Sequence, residues 1–313
     1  MLASRAVVDV LVIPDGAAED PHAGATTLEQ ARTPVLDALC AEGTVTARRT
    51  IPAGLPAGSE VGVSTLLGAR LTAAPSRSWI EAAAAGIDVP PGVVPRRVDL
   101  YRDGLRCEAE DLEAVAAHLA ATSGGPAHPV GAHRYLVLGP RDPVPPAGCD
   151  LRIWDDGPRL EPILDERTVL VGASGGAVGA ARLLGARTVT PPGATGRSRT
   201  DCAAKAAAAL RELDRADRVV VHVAAPDEAS HERDPAAKRA AIEAIDRDIL
   251  APLWDALRAI GGTLTVCPDH GTDPRDGRHL SEPVPCVRWA AGEPPAGPDR
   301  LVERLLVASS AAA

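Results

Sequence analysis

The 313-residue chain has no phenylalanine, two tyrosines and four tryptophans. A core of that composition must come from Val, Leu, Ile and Ala, and the 45% hydrophobic content supplies them. No two cysteines stand in a CxxC spacing. Cys40, Cys107, Cys149, Cys202, Cys267 and Cys286 are scattered, which excludes the disulfide frame of a small secreted domain and leaves reduced core or surface thiols. No apolar run approaches the ~20 residues of a membrane span. The opening "MLASRAVVDVLVIPDG" is interrupted by Asp9, so it reads as a buried strand and not as a signal peptide. Positive charge is also short: 33 Lys and Arg face 42 Asp and Glu, for a net −9. That balance excludes a nucleic-acid footprint. An acidic chain that handles an anion must gather arginines or bound cations locally. These absences lead us to expect a soluble, cytoplasmic protein with neither a nucleic-acid nor a membrane partner.

What is present is an alternation of strand-like runs and amphipathic helices. "AVVDVLVIPD" reads as a strand ending at Asp15. "TPVLDALCAEG" reads as a helix opened by Thr-Pro and closed by Gly43. "RTVLVGASGGAVGAARLLGARTVTP" gives strand, glycine turn, helix and strand, and "TDCAAKAAAALRELDRA" a helix. "DRVVVHVAAPD" is expected to be a strand ending at Asp227. "DPAAKRAAIEAIDRDILAPLWDAL" is expected to be one long helix, and "GTLTVCPDHG" a strand ending at Asp269 and His270. Such alternation predicts an α/β fold around a mostly parallel sheet.

The chemistry-bearing residues share one place in that pattern. Asp15, Asp227, Asp269 and His270 all lie just beyond the C-terminal ends of predicted strands, the edge where open parallel sheets bind ligands. Carboxylates are costly to bring together there unless cations hold them. In "PDEASH", Asp227 and His231 are four apart, on one face of a helical turn. His279 follows on a loop in "PDHGTDPRDGRHL". Asp with His suits a borderline divalent ion such as Zn²⁺ or Mn²⁺. Ser59, in "PAGSEVGVSTLLGAR", precedes a predicted helix. It reads either as that helix's N-cap or as a residue that does chemistry.

Residues 76–162 differ, being rich in Pro, Gly and Arg, as in "VPPGVVPRRVDLYRDG" and "GPRDPVPPAGCD". One helix is clear in "EAEDLEAVAAHLAAT", and short strands are expected in "VPRRVDL", "HRYLVLG" and "DLRIW". We read this region as a small α+β cap inserted into a discontinuous domain of residues 1–75 and 163–313. The tail "ASSAAA" is expected to fray.

Taken together, "IPDG", "TTLEQARTPVLDALCAEG", "PAGSEVGVSTLLGA", "RSWIEAAAAGID", "PPGATG", "VVVHVAAPDEASHERDPAAKRAAIEAIDRDI" and "CPDHGTDPRDGRHLSEPVP" resemble the cofactor-independent phosphoglycerate mutases of the alkaline phosphatase superfamily, in their shorter archaeal-type branch. The resemblance runs end to end. It implies an alkaline-phosphatase-like sheet domain with helices on both faces, and two divalent ions (Mn²⁺ or Zn²⁺, or else Mg²⁺ or Co²⁺). It places Asp15, Ser59, Asp269 and His270 on one ion and Asp227, His231 and His279 on the other. Ser59 becomes the nucleophile that accepts a phosphoryl group, and the substrate a small phosphorylated carboxylate. The family often has a histidine shortly after the nucleophile; Val63 and Ser64 stand there in this chain.

The substrate's anionic groups call for arginines, whose fork matches phosphate and carboxylate. The candidates are Arg77, Arg97 and Arg134, with Arg96 and Arg152 behind them. His222 reads as a packed or supporting histidine, and His22, His118, His128 and His133 have no motif support as ligands. Lys205 and Lys238 are expected to be solvated on their helices. The same metal centre would also serve a phosphatase, an enzyme of phosphonate metabolites, or a metal-binding chain without catalysis. The sequence leaves the oligomeric state open.

Overall fold

A computed structural model describes residues 7–154 and 157–294. The predicted tail lies outside them. The main sheet runs in the order Thr44–Arg48 (β2), Val284–Ala290 (β14), Gly262–Val266 (β11), Val8–Pro14 (β1), Arg218–Val223 (β10), Thr168–Val171 (β8) and Arg187–Val189 (β9). From β11 to β9 all neighbours are parallel. β14 and β2 close one edge antiparallel. The fold is therefore α/β with a mostly parallel sheet.

Strand alternation distributes the core. In β1, Val8, Val10 and Val12 enter one apolar cluster, while Leu11 and Ile13 enter another. Val219, Val221 and Val223 of β10 join the first cluster and Val220 the second. Side chains alternate between faces with period two, so both faces are buried. The first face is covered by Pro34–Glu42 (α2), Cys202–Glu212 (α7), Pro235–Ile245 (α9) and Ala251–Ile260 (α10). The second is covered by Ser59–Leu66 (α3), Arg77–Ala85 (α4) and Gly176–Leu183 (α6). Two short helices, Thr27–Gln30 (α1) and Ala225–His231 (α8), lie at the C-terminal edge of the sheet's central strands.

A second sheet lies within residues 96–154. It runs Leu105–Arg106 (β4), Arg96–Arg102 (β3), Arg134–Val137 (β6) and Ala127–Gly131 (β5), with Asp150–Trp154 (β7) also paired to β3. Leu112–Ser123 (α5) packs Ala116 and Leu119 against Val98, Tyr135 and Val137 of this sheet. A two-residue hairpin, Gly271–Thr272 (β12) with His279–Leu280 (β13), stands apart from both sheets. No helix among the described residues is long and apolar enough to cross a membrane.

Three sequence expectations are corrected here. The strand expected to end at Asp227 ends at Val223, and Asp227 lies on α8 instead, because Pro226 suits a helix's first turn and has no N–H for a sheet ladder. The helix expected over 234–257 is interrupted by a π segment at Asp246–Leu250. There Asp246 is buried and caps a different helix: its carboxylate accepts the amides of Val35 (3.2 Å) and Leu36 (2.7 Å) at the start of α2. The N-cap of α2, Thr33, makes no side-chain cap bond of its own. His279, expected on a loop, is in β13. Asp246→Ala is expected to lower stability by about 1–3 kcal/mol by orphaning those two amides. Urea unfolding checks this, and an unchanged midpoint would contradict the capping role.

Candidate metal centre

β1 is flanked by β10 and β11, all parallel, so their C-terminal ends meet at one edge. Asp15 follows β1 and is tied to that edge by its amide, which donates to Val223 O at 3.0 Å. Asp269 and His270 follow β11, and Asp227 sits on α8 after β10. Asp15, Asp227, Asp269 and His270 are all buried. Two glycines permit this crowding. Gly16 has φ +61°, and a Cβ there would stand 2.6 Å from Asp227 Oδ1. A Cβ on Gly62 would stand 2.2 Å from Asp269 O, so glycine lets α3 approach the ligand loop.

Ser59 is not the N-cap. Gly58 occupies that position and Ser59 is the first residue of α3. Its Oγ donates toward Asp15 Oδ1 and Oδ2, 3.2 Å from each, and lies 3.3 Å from His270 Nε2. Asp269 Oδ1 accepts the amides of Gly16 (3.2 Å) and His270 (3.1 Å). Its other oxygen is buried, has no hydrogen-bond partner, and lies 3.7 Å from His270 Nε2. Around Asp227 the geometry is similar. Oδ2 is 3.2 Å from His231 Nε2, Oδ1 is 3.4 Å from His279 Nε2, and the two Nε2 atoms are 2.9 Å apart.

The imidazoles are oriented as metal ligands are. His270 Nδ1 donates to Gly271 O (3.0 Å) and His279 Nδ1 to Ala57 O (3.1 Å). Each bond to a carbonyl places a proton on Nδ1 and turns Nε2 toward the carboxylates. Donor atoms of Asp227, His231 and His279 lie within 4.8 Å of one another, as do those of Asp15, Asp227 and His270. Charge tells the same story. Burial and Asp227 would raise the Asp15 pKa, but His222 and His270 outweigh them and bring it to about 2. Burial opposes ionisation of Asp227 too, and His231 and His279 hold its carboxyl well below the usual range. Burial, then Asp15, pushes Asp269 up to about 7. Burial disfavours a charged His270, yet Asp269, Asp15 and Asp227 raise it to about 10. Imidazole nitrogens and ionised or orphaned carboxylate oxygens face common points, and the proton that this cluster of carboxylates holds on His270 is the one a divalent cation would displace.

Three more residues surround the centre, one as expected and two not. His222 is the packed, supporting histidine expected: it is buried, with Nε2 3.2 Å from Asp15 Oδ2, and its donor atom groups with those of Asp15 and Asp269. Lys205 and Lys238, expected in solvent, are fully buried. Each donates to a backbone carbonyl beside the centre: Lys205 to His222 O (3.0 Å) and Lys238 to Thr272 O (2.6 Å). Their signal was in the helical spacing, since Lys205 shares its inward stripe with Cys202, Ala206 and Ala209, and Lys238 with Ala241, Ile242 and Ile245. Burial lowers the Lys205 pKa from 10.5 to about 8, against the pull of Cys202 and Asp15. A base whose pKa falls on folding destabilises the fold fully below pH 8, and the penalty fades as pH rises toward 10.5. The stability difference between Lys205→Met and the metal-free wild type should therefore change by roughly 3 kcal/mol in the wild type's favour across that window. Urea unfolding at pH 7 and pH 10 measures it, and a pH-independent difference would contradict it.

The candidate substrate arginines hold the chain's own carboxylates. Arg77 grips Glu60, next to Ser59, with Nε 2.8 Å from Oε1 and a second, shorter contact from its Nη2. Arg97 is buried, forks onto Asp99 (3.0 and 2.9 Å) and reaches Glu81 at 3.1 Å. Arg134 meets Glu81 at 2.9 Å and Asp99 at 3.5 Å. Arg77, Arg97 and Arg152 all lie over the ring of Trp154, whose indole donates to Asp99.

The chain is similar to known proteins along most of its length. A 2,3-bisphosphoglycerate-independent phosphoglycerate mutase of Methanothermobacter thermautotrophicus is 28% identical, over 89% of this chain and 87% of its own. One from Methanothrix thermoacetophila is also 28% identical, over 90% and 91%. A solved structure of a Pyrococcus horikoshii protein superposes with TM-score 0.71 at 24% identity, covering 92% of this chain and 86% of that one. The cofactor-independent phosphoglycerate mutase of Thermoplasma acidophilum superposes with TM-score 0.58 at 18% identity, covering 92% and 90%. The family described as the Metalloenzyme superfamily matches residues 8–303, and the chain belongs to that superfamily.

Proposed function

We propose that the chain is a two-metal phosphotransferase that interconverts 3-phosphoglycerate and 2-phosphoglycerate through phosphorylated Ser59, with the second sheet and its helix, residues 96–154, as a cap over the site, while α4, from the start of the expected 76–162 insert, packs on the main sheet. The observation that carries this reading is the position of Ser59 Oγ between Asp15 and His270, at the start of a helix and unneeded as its cap. Relatives that bear the mutase name, spanning about nine-tenths of both chains, support the substrate.

Asp15, Ser59, Asp269 and His270 would hold one divalent ion and Asp227, His231 and His279 the other. Ions bound there would lower the pKa of the serine hydroxyl and offset charge on the phosphoryl oxygens. The chain's own residues do the rest. Asp15, kept ionised at neutral pH, accepts the Ser59 hydroxyl hydrogen and fixes Oγ for attack. The positive end of α3 faces a phosphoryl group on Ser59. His222 steadies the outer oxygen of Asp15. Reversal of the same step returns the phosphoryl group to the other hydroxyl of a reoriented glycerate, while the cap excludes water.

Of the three arginines we assign Arg77 to the substrate; its pairing with Glu60, the residue after Ser59, and its partly exposed side chain support this. Arg97 and Arg134 brace the cap through Asp99, Glu81 and Trp154. Arg77→Ala is expected to raise KM about tenfold to a hundredfold, the loss of one charge-assisted bond. An unchanged KM would remove Arg77 from the substrate site. The function itself is tested by incubating Mn²⁺-loaded protein with 3-phosphoglycerate. Formation of 2-phosphoglycerate with little free phosphate is expected. Steady phosphate release without the isomer would make the chain a phosphatase.

A further inference from the structure

Thr272 touches both ligand sets, though nothing in the sequence pattern marks it. It is completely buried. Its hydroxyl donates to Asp227 Oδ1 at 2.5 Å and lies 3.3 Å from His270 Nδ1. His270 Nδ1 carries the proton, because it also donates to Gly271 O. The hydroxyl therefore accepts from His270 and donates to Asp227, and its single hydrogen has one place to go. Its backbone is fixed as firmly. The amide donates to Ala18 O at 2.9 Å, and the carbonyl accepts from Lys238 Nζ, itself buried and 3.0 Å from Glu19 Oε1. Across the β12–β13 hairpin, Thr272 pairs with His279. One residue thus contacts Asp227 and His270 by its side chain and is the strand partner of His279.

We propose that Thr272 is a positioning residue that locks the two ligand sets to each other, turning Asp227 Oδ2 toward His231 and His270 Nε2 toward Asp15 and Ser59. This rests on the reading that Asp227 and His270 hold divalent ions. Supporting hydrogen bonds of this kind set ligand orientation, and their removal weakens metal binding by about 10–100-fold. Valine keeps the shape of threonine but leaves Asp227 Oδ1 without its donor. Serine keeps the donor and drops only a methyl group.

The test is calorimetric titration of the metal-free wild type, Thr272→Val, Thr272→Ser and Thr272→Ala with Mn²⁺, together with visible spectra of the Co²⁺-loaded proteins. The wild type should bind two ions. The Val and Ala variants should bind at least one of them about 10–100-fold more weakly, with an altered Co²⁺ spectrum, and Ser should restore both. A purely structural role would shift the melting temperature in the variants and leave the Co²⁺ spectrum as it is. Mn²⁺ affinities in Val equal to wild type overturn the proposal. If Val does not fold, equal affinities in Ser and Ala overturn it on the same ground. Fewer than two ions on the unmodified chain overturns the two-metal reading and the proposal with it, and is seen in the wild type alone.

Discussion

Ser59→Ala is expected to lose activity by at least about 10³-fold while its melting temperature stays within about 2 °C of the wild type. The two halves of that expectation come from one observation. Gly58 occupies the N-cap position of α3, and the Ser59 hydroxyl points away from the helix to Asp15 and His270. Nothing in the helix is lost with the hydroxyl, and the covalent route is lost entirely. A capping serine would show the reverse pattern, near-normal turnover and a loss of about 1 kcal/mol in stability. Activity assays and thermal melts on the same preparation separate the two.

Asp269→Asn should move activity and metal-free stability in opposite directions. Asp269 is fully buried and one of its oxygens has no partner. Burial and the neighbouring Asp15 raise its pKa to about 7. An acid whose pKa rises on folding destabilises the fold as it ionises, so the penalty is absent near pH 4 and complete above pH 7. Asparagine keeps the oxygen that accepts from Gly16 and His270 and carries no charge. At pH 8, in chelator, the variant should be more stable by about 1–3 kcal/mol, and at pH 4 the two should converge. With saturating Mn²⁺ the order should reverse, since a ligand at a hundred times its Kd adds about 2.7 kcal/mol to a chain that binds it. Activity should fall at least about a hundredfold, the scale of losing a directly bound ligand. Melts in chelator and in Mn²⁺ check this. A variant less stable than the wild type in both would contradict the metal centre.

Much of this centre was legible because its residues follow hydrophobic runs. Val8 to Ile13, Val219 to Val223 and Leu264 to Val266 are apolar enough to mark buried strands, and whatever follows such strands in a parallel sheet sits at the binding edge. Asp15, Asp227, Asp269 and His270 were read that way, Asp227 at the end of a strand drawn four residues too long, and His231 by its helical spacing from Asp227. His222 was harder to see. It lies inside an apolar strand, and its direction depends on register: Val221 and Val223 face one core, so His222 faces the opposite side with Val220. Lys205 and Lys238 were read from residue type when their helical stripe pointed inward. β2, β5 and β14 are among the strands that went unpredicted. β2 and β14 lie at the sheet's antiparallel edge, and β5 contains Pro129 and a register shift, so none shows a clean period. The hydroxyl of Thr272 had no signal at all, because Asp227, the carboxylate it donates to, is 45 residues away in the sequence.

The central claim is that Ser59 carries the phosphoryl group. Mn²⁺-loaded protein mixed with 3-phosphoglycerate, quenched in acid within the first turnovers and digested, allows the peptide containing Ser59 to be weighed with and without phosphate. Phosphate on Ser59 that appears before 2-phosphoglycerate accumulates, and that is missing from the Ser59→Ala protein, is the expected result. Full conversion to 2-phosphoglycerate with Ser59 unmodified at every time point would contradict it.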